Sequence, residues 1–317
     1  MNLSNKTTRR ESEQNADCLK WLAKLQELQP APERDGRGAA PHKPLLLLCV
    51  IDMIEAGEIT DSTLRLSPSL VFRFQSYWKI VFDRRRNRGE IRMPFHALGT
   101  QGIWQTMTAD LQLSKYRGTT EVVLINPELF NLFQSESFRA NARLLLIQNY
   151  FPPKEQVALF AMTNLEAGRC APLLQKLKAE VKDYQESQRQ GRSQRFKIAV
   201  VVKYDFTCAL TGYRLTTIGG ANIVEAAHIQ DWARSRNDDP HNGLALSRNA
   251  HWMFDEGLWS ADDDHTVLVS KEAFVEKSID GFSLKALHGR RLVFSNHTTM
   301  RPGSQYLAWH RKHKFIG

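Results

Sequence analysis

Four polar side chains, His228, Asn242, His251 and Asp255, follow one another at steps of 14, 9 and 4 residues. That spacing constrains the fold of the last third of the chain more than any other feature. His228 ends an apolar run, Ile223-Val224-Glu225-Ala226-Ala227, that reads as a strand. Thr207 to Thr211 also reads as a strand, a loop runs on to Pro240, and Ser247 to Glu256 reads as a helix stopped by Gly257. On that helix His251 and Asp255 stand at i and i+4 and share a face. One imidazole and one carboxylate on a face can bind a divalent cation such as Mg2+, Mn2+ or Zn2+. A neutral imidazole at His228 can take a proton from an attacking water. Asn242 sits where the loop turns into the helix, and its amide can tie the loop to the strand and hold the histidine in place.

The flanking residues carry a resemblance. Glu225-Ala226-Ala227-His228-Ile229 is followed by Asp238-Asp239-Pro240-His241-Asn242-Gly243-Leu244-Ala245-Leu246 and then by His251-Trp252-Met253-Phe254-Asp255-Glu256-Gly257. Together with the upstream Cys208-Ala209-Leu210-Thr211-Gly212, this pattern resembles the HNH endonuclease family over about 110 residues, Phe196 to Trp309. The resemblance implies a ββα-metal module that hydrolyses DNA phosphodiester bonds. His228, Asn242 and His251 would be its catalytic residues, and His251 and Asp255 would hold a divalent metal ion, Mg2+ or Mn2+. Many members carry a metal-binding Asp or His directly before the general base, where this chain has Ala227. Asp255 with water, or a further carboxylate such as Glu225 or Asp262, would then complete the metal. On a regular strand Glu225 faces away from His228.

The first half reads as a separate domain. Leu19, Leu22, Leu25 and Leu28, with Trp21 beside them, predict a helix over Cys18 to Leu28. Leu45 to Ala56 is apolar nearly all round, which predicts a central core helix. Further helices fit Pro68 to Phe82, Pro127 to Phe133 and Glu136 to Asn149, and strands fit Ile91 to Phe95 and Ile103 to Thr106. The expected class is α+β. Residues 1–152 form a mainly helical DNA-recognition domain with a small sheet, 153–194 a helical connector, and 195–317 the ββα-metal nuclease domain.

Pro41-His42-Lys43-Pro44-Leu45-Leu46-Leu47-Leu48, Pro94-Phe95-His96-Ala97-Leu98 and Gly102-Ile103-Trp104 are similar to the sulfur-binding domain of McrA-like, phosphorothioate-dependent restriction endonucleases. By that resemblance Pro94 and Ala97 line an apolar cup for the sulfur edge, which is softer and less hydrated than an oxygen. His42 and Lys43 would approach the backbone. Arg84, Arg85, Arg86, Arg88 and Arg92 would supply phosphate or groove contacts.

Charge agrees with a polyanionic partner. The chain of 317 residues carries a formal net charge of +9, which favours nucleic acid ahead of a membrane surface. The cysteines Cys18, Cys49, Cys170 and Cys208 stand singly, which excludes a zinc module built on cysteine pairs and suits a reducing, cytoplasmic setting. The longest apolar run, Leu45 to Ile51, is too short to span a bilayer. The expected partner is double-stranded DNA with a modified backbone. Cutting both strands is compatible with a homodimer, although no interface stands out. Two alternatives stay open: an HNH effector of phage defence triggered by another modification or ligand, and a non-catalytic DNA-binding protein with a degenerate HNH fold.

Overall fold

The computed structural model of the chain describes residues 16–29, 40–82, 89–165, 170–217, 220–277, 282–296 and 298–317. Arg84, Arg85, Arg86 and Arg88 lie outside the described residues. The chain divides into two units, residues 1–192 and 193–317.

In unit 1, helix α1 (16–26) and the turn after it bury Trp21, Leu25 and Leu28, while Leu19 is exposed. Helix α2 (His42–Glu55) has Pro44 in its first turn, where a missing N–H leaves no helix bond unmade. Every residue from Pro44 to Ile51 is buried, as befits a helix apolar all round. One carboxylate on α2, Asp52, is matched inside this core. It accepts a hydrogen bond from the Tyr77 hydroxyl and faces the Arg143 guanidinium at 2.8 Å.

Strand β1 (Thr63–Arg65) leads to helix α3 (Pro68–Trp78), whose N-cap Ser67 accepts the Leu70 N–H. Helix α4 (Arg92–Ala97) covers the segment expected as a strand from Ile91 to Phe95. Ile91, Met93 and Phe95 alternate as a strand would, but Ile91, Pro94, Phe95 and Leu98 also fall at helical spacing. The second set is the buried one, and its burial settles the conformation. Strands β2 (Trp104–Met107) and β3 (Val122–Ile125) complete an antiparallel sheet in the order β1-β3-β2. Helices α5 (Pro127–Phe133) and α6 (Glu136–Tyr150) follow, capped by Asn126 and Ser135. The stretch expected as a connector forms α7 (Pro153–Thr163), α8 (Ala171–Glu180) and the start of α9 (Tyr184–Lys203). Helix α7 is buried from Glu155 to Thr163. Gly191 on α9 lies so close to it that a Cβ there would sit 1.9 Å from the Ala158 carbonyl oxygen.

Unit 2 begins on the second half of α9. It continues through β4 (Val224–His228), α10 (Trp232–Ser235), β5 (Gly243–Ser247), α11 (Arg248–Asp255), β6 (Trp259–Ala261), β7 (Val267–Val269) and α12 (Ser304–His313). Strands β4 and β5 pair antiparallel from Val224↔Ser247 to His228↔Gly243, and α11 packs on both. Thr207 to Thr211 is not a strand. It forms a tight turn in which the Gly212 N–H donates to Cys208 O at 2.8 Å, and Ala209 N–H ties the turn to Ala245 O of β5. The ββα order is therefore strand, loop, strand, helix. Leu244, Ala245 and Leu246 are all fully buried, so β5 shows no alternation that would mark it as a strand. No helix among the described residues is long and apolar enough to cross a membrane.

Candidate active site

His228 closes β4, opposite Gly243. Its ring stacks on Phe196 of α9 with centroids 3.8 Å apart and planes within 6°. Gly243 makes that contact feasible, because a Cβ there would meet Val200 at 2.4 Å and Phe196 at 3.0 Å. Only a glycine lets α9 lie directly on the strand pair at this point. His228 Nε2 faces Asp238 Oδ1 at 3.2 Å. Burial works to raise the Asp238 carboxyl, but the His228 contact, a bond from Trp232 and the Arg195 charge together outweigh it, and the group is held below the usual carboxylate range.

Asn242 is wholly buried at the start of β5 and not at the start of a helix. Its side chain accepts the Gln230 N–H at 2.8 Å and donates to Gln230 O at 3.1 Å and Asn237 O at 3.2 Å. Both ends of the loop between β4 and β5 are thereby fastened to one amide.

On α11, His251 and Asp255 meet, with Nε2 3.3 Å from Oδ2. The other ring nitrogen of His251, Nδ1, faces Glu225 Oε2 at 3.5 Å. Glu225 projects from the α11 side of β4, as does the fully buried Ala227, whereas His228 lies on the other side against Phe196. Burial alone would raise Glu225, but Arg248 and His251 together lower it. Asp262 stands apart from this group: its Oδ1 accepts the Asp264 and Thr266 N–H groups and shapes the turn between β6 and β7. Among the described residues no hydrogen bond or ion pair links His228 to His251 or Asp255.

Among the described residues, no three His, Cys, Asp or Glu side chains converge on one cation position. Two donors do. Neighbouring ligands of a cation bound at ~2.1 Å lie roughly 3.0–3.4 Å apart, and the His251–Asp255 separation falls in that interval. The pair fits a cation that keeps its remaining positions for water and phosphate oxygens.

Residues that sequence reasoning left without a role complete the surroundings. Lys314, just beyond α12, reaches Asp231 Oδ1 at 2.7 Å and Asp255 Oδ1 at 3.3 Å. Burial would lower its ammonium, yet the bond to Asp231 and the two carboxylate charges raise it. Asp238 lay within the quoted motif, so proximity to the Asn242 loop was a usable signal. Phe196 and Lys314 are remote in sequence and offered none.

The candidate DNA contacts of unit 1 are distributed along α2, α4 and the turns near them. The His42 ring packs on Trp78 at 4.5 Å, and Gly89, which follows the arginine run, lies against that same indole. Lys43 donates to Gln29 O at 2.7 Å, and burial lowers its ammonium. Arg92 reaches Thr120 O at 3.5 Å. Pro94 is buried and Ala97 half-buried. Helix α4 is held from both sides, by Trp104 Nε1–H on Phe95 O at 2.9 Å and by His96 Nδ1 against Thr120 Oγ1 at 2.7 Å.

Residues 208–262 match the family model described as HNH endonuclease. Unit 2 therefore carries an HNH endonuclease domain, a class that generally uses a divalent metal ion. No curated protein matches the chain. A solved structure of a modification-dependent TagI restriction endonuclease is similar at 20% identity and a TM-score of 0.29. The similarity covers 39% of this chain and 38% of that one, so the chain spans well under half of that protein's length.

Proposed function

We propose that the protein is a metal-dependent DNA endonuclease in which unit 2 cuts and unit 1 selects DNA with a phosphorothioate-type backbone. The observation that carries the cutting half is the His251–Asp255 donor pair on α11, packed beside a strand ending in His228, within the segment matched by the HNH family.

Each group has a task. Asp238 keeps Nε2 of His228 protonated and leaves Nδ1 as the lone pair that takes the proton of the attacking water. Phe196 fixes the plane of that ring. Because Asp238 stays ionised, it also stabilises the imidazolium once the proton has moved. Asn242 sets the path of the chain after His228 and so the place where the ring stands. Glu225 accepts the His251 Nδ1–H and leaves Nε2, with Asp255, for Mg2+ or Mn2+. A cation held there supplies positive charge against the scissile phosphate and its leaving oxygen.

For selection, the reading rests on the likeness of the motifs around His42, Pro94 and Trp104 and on the rigid seating of α4. Of the two cup residues, half-buried Ala97 keeps apolar surface that suits a sulfur edge water solvates poorly, and buried Pro94 stands behind it. The arginine run and Arg92 would hold the duplex in register. A second reading, a DNA-binding protein that no longer cuts, draws on the buried Ala227 and on the two-donor site.

The test uses paired plasmids, one phosphorothioated and one plain, with Mn2+ or Mg2+ and a His228→Ala control. Cutting of the modified plasmid alone, lost in His228→Ala, is the expected result. Cutting of both plasmids removes the sulfur dependence. Binding without cutting by the unaltered protein favours the second reading.

A further inference from the structure

The chain beyond α12 returns to the end of α11. Ile316 N–H donates to Gly257 O at 3.0 Å, and Lys314 N–H donates to His310 O at 2.9 Å. Gly257 has φ +70°, and a Cβ on it would stand 2.1 Å from the Lys314 carbonyl oxygen. The glycine that stops α11 thus also admits the returning chain. This seating places one ammonium between two carboxylates from separate elements: Asp231, in the loop after β4, and Asp255, on α11. The Lys314 side chain is only 18% exposed, against 34% for Asp231 and 47% for Asp255. Sharing one nitrogen, the two carboxylates stand no more than about 6 Å apart. Two acids that close together, one of them paired with His251, form the kind of setting that gathers cations.

We infer that Lys314 is a positioning residue that fills a cation position between Asp231 and Asp255 and so limits the site to one divalent ion held by His251 and Asp255. The inference rests on the donor pair assigned above. The ammonium takes up Asp255 Oδ1, leaving Oδ2 toward His251 Nε2, and it balances the neighbouring Asp231 charge. It also sets the charge that an incoming ion meets.

Binding of Mn2+ to the full chain, followed by electron paramagnetic resonance without DNA, separates the possibilities. Lys314→Met retains the aliphatic stem and removes the charge. Its Mn2+ affinity should rise about tenfold, the effect of one ammonium on a divalent ion roughly 6 Å away in water-like surroundings. Adding Asp231→Asn should cancel the gain, and Lys314→Arg should bind as the unaltered chain does. Arg311→Met removes a neighbouring ion pair with Asp263 and should leave Mn2+ binding unchanged. A folded Lys314→Met with equal or weaker affinity overturns the inference. Should that variant not fold, Asp231→Asn alone decides, because it leaves the ammonium to Asp255 and should weaken Mn2+ binding; unchanged binding overturns the inference. His251→Ala tests the reading beneath it: binding that survives this change removes the donor pair, whatever Lys314 does.

Discussion

His310 offers the sharpest test of how α12 supports the site. It is fully buried, its ring lies 3.7 Å from the Phe254 ring, and its Nε2 faces Phe254 O at 3.1 Å. Nδ1 meets Ser260 Oγ at 2.9 Å. A neutral ring satisfies both contacts, with Nε2–H donating to the carbonyl and the serine hydroxyl donating to Nδ1. Burial, partly opposed by the Phe254 carbonyl, pushes the pKa down from 6.5 to about 4. In the unfolded chain the imidazole takes its proton near the ordinary value; in the folded chain it refuses it down to about 4. Between those limits the unfolded state binds more protons, so stability falls as pH falls. One pKa unit is worth about 1.4 kcal/mol, so the full effect is ~3 kcal/mol, of which ~2 kcal/mol is lost between pH 7 and pH 5. Hydrogen exchange of α11 and α12 peptides in the full chain reads this directly, as a roughly 30-fold larger opening constant at pH 5 after correction for intrinsic rates. His310→Gln should be less stable at pH 7 but lack that increment. Equal pH dependence in the two proteins would refute the reasoning.

Gly243→Ala places a methyl group 2.4 Å from Val200 and should cost ~1–3 kcal/mol in denaturant unfolding, with part of the loss recovered by Val200→Ala; an unchanged midpoint would remove the close approach of α9. Asp238→Asn should slow cleavage by about 100-fold or more with DNA affinity retained, because the His228 ring loses the carboxylate that orients it. A rate within about threefold of the unaltered enzyme would discard Asp238 as the partner of His228.

Adjacency of His251 and Asp255 was legible because helix geometry alone brings i and i+4 together. The core helix α2 was legible because nothing polar breaks Pro44 to Ile51. Legibility failed where two patterns competed or no pattern existed. Helix α4 satisfied both strand and helix periodicity, and only burial distinguished them. Strand β5 is covered on both faces, so it resembled an approach to the helix. Strands β1, β6 and β7 are three residues each, too short to show a period. Lys314 lies 59 residues from Asp255, and no local rule connects them.

The amide of Asn242 has a consequence for how such a domain diversifies. It fastens the loop at Gln230 and Asn237, so the segment beyond the Lys314-bound Asp231, 232–236, hangs from a closed base. Ala233, Arg234 and Arg236 at its tip are exposed, and the Arg236 guanidinium rests on the Trp232 ring. Doubling the length of such a tip costs only ~0.6 kcal/mol of closure entropy. An insertion there should leave His228 in its place. The tip is accordingly where new contacts to a duplex can be tried at little risk to the chemistry.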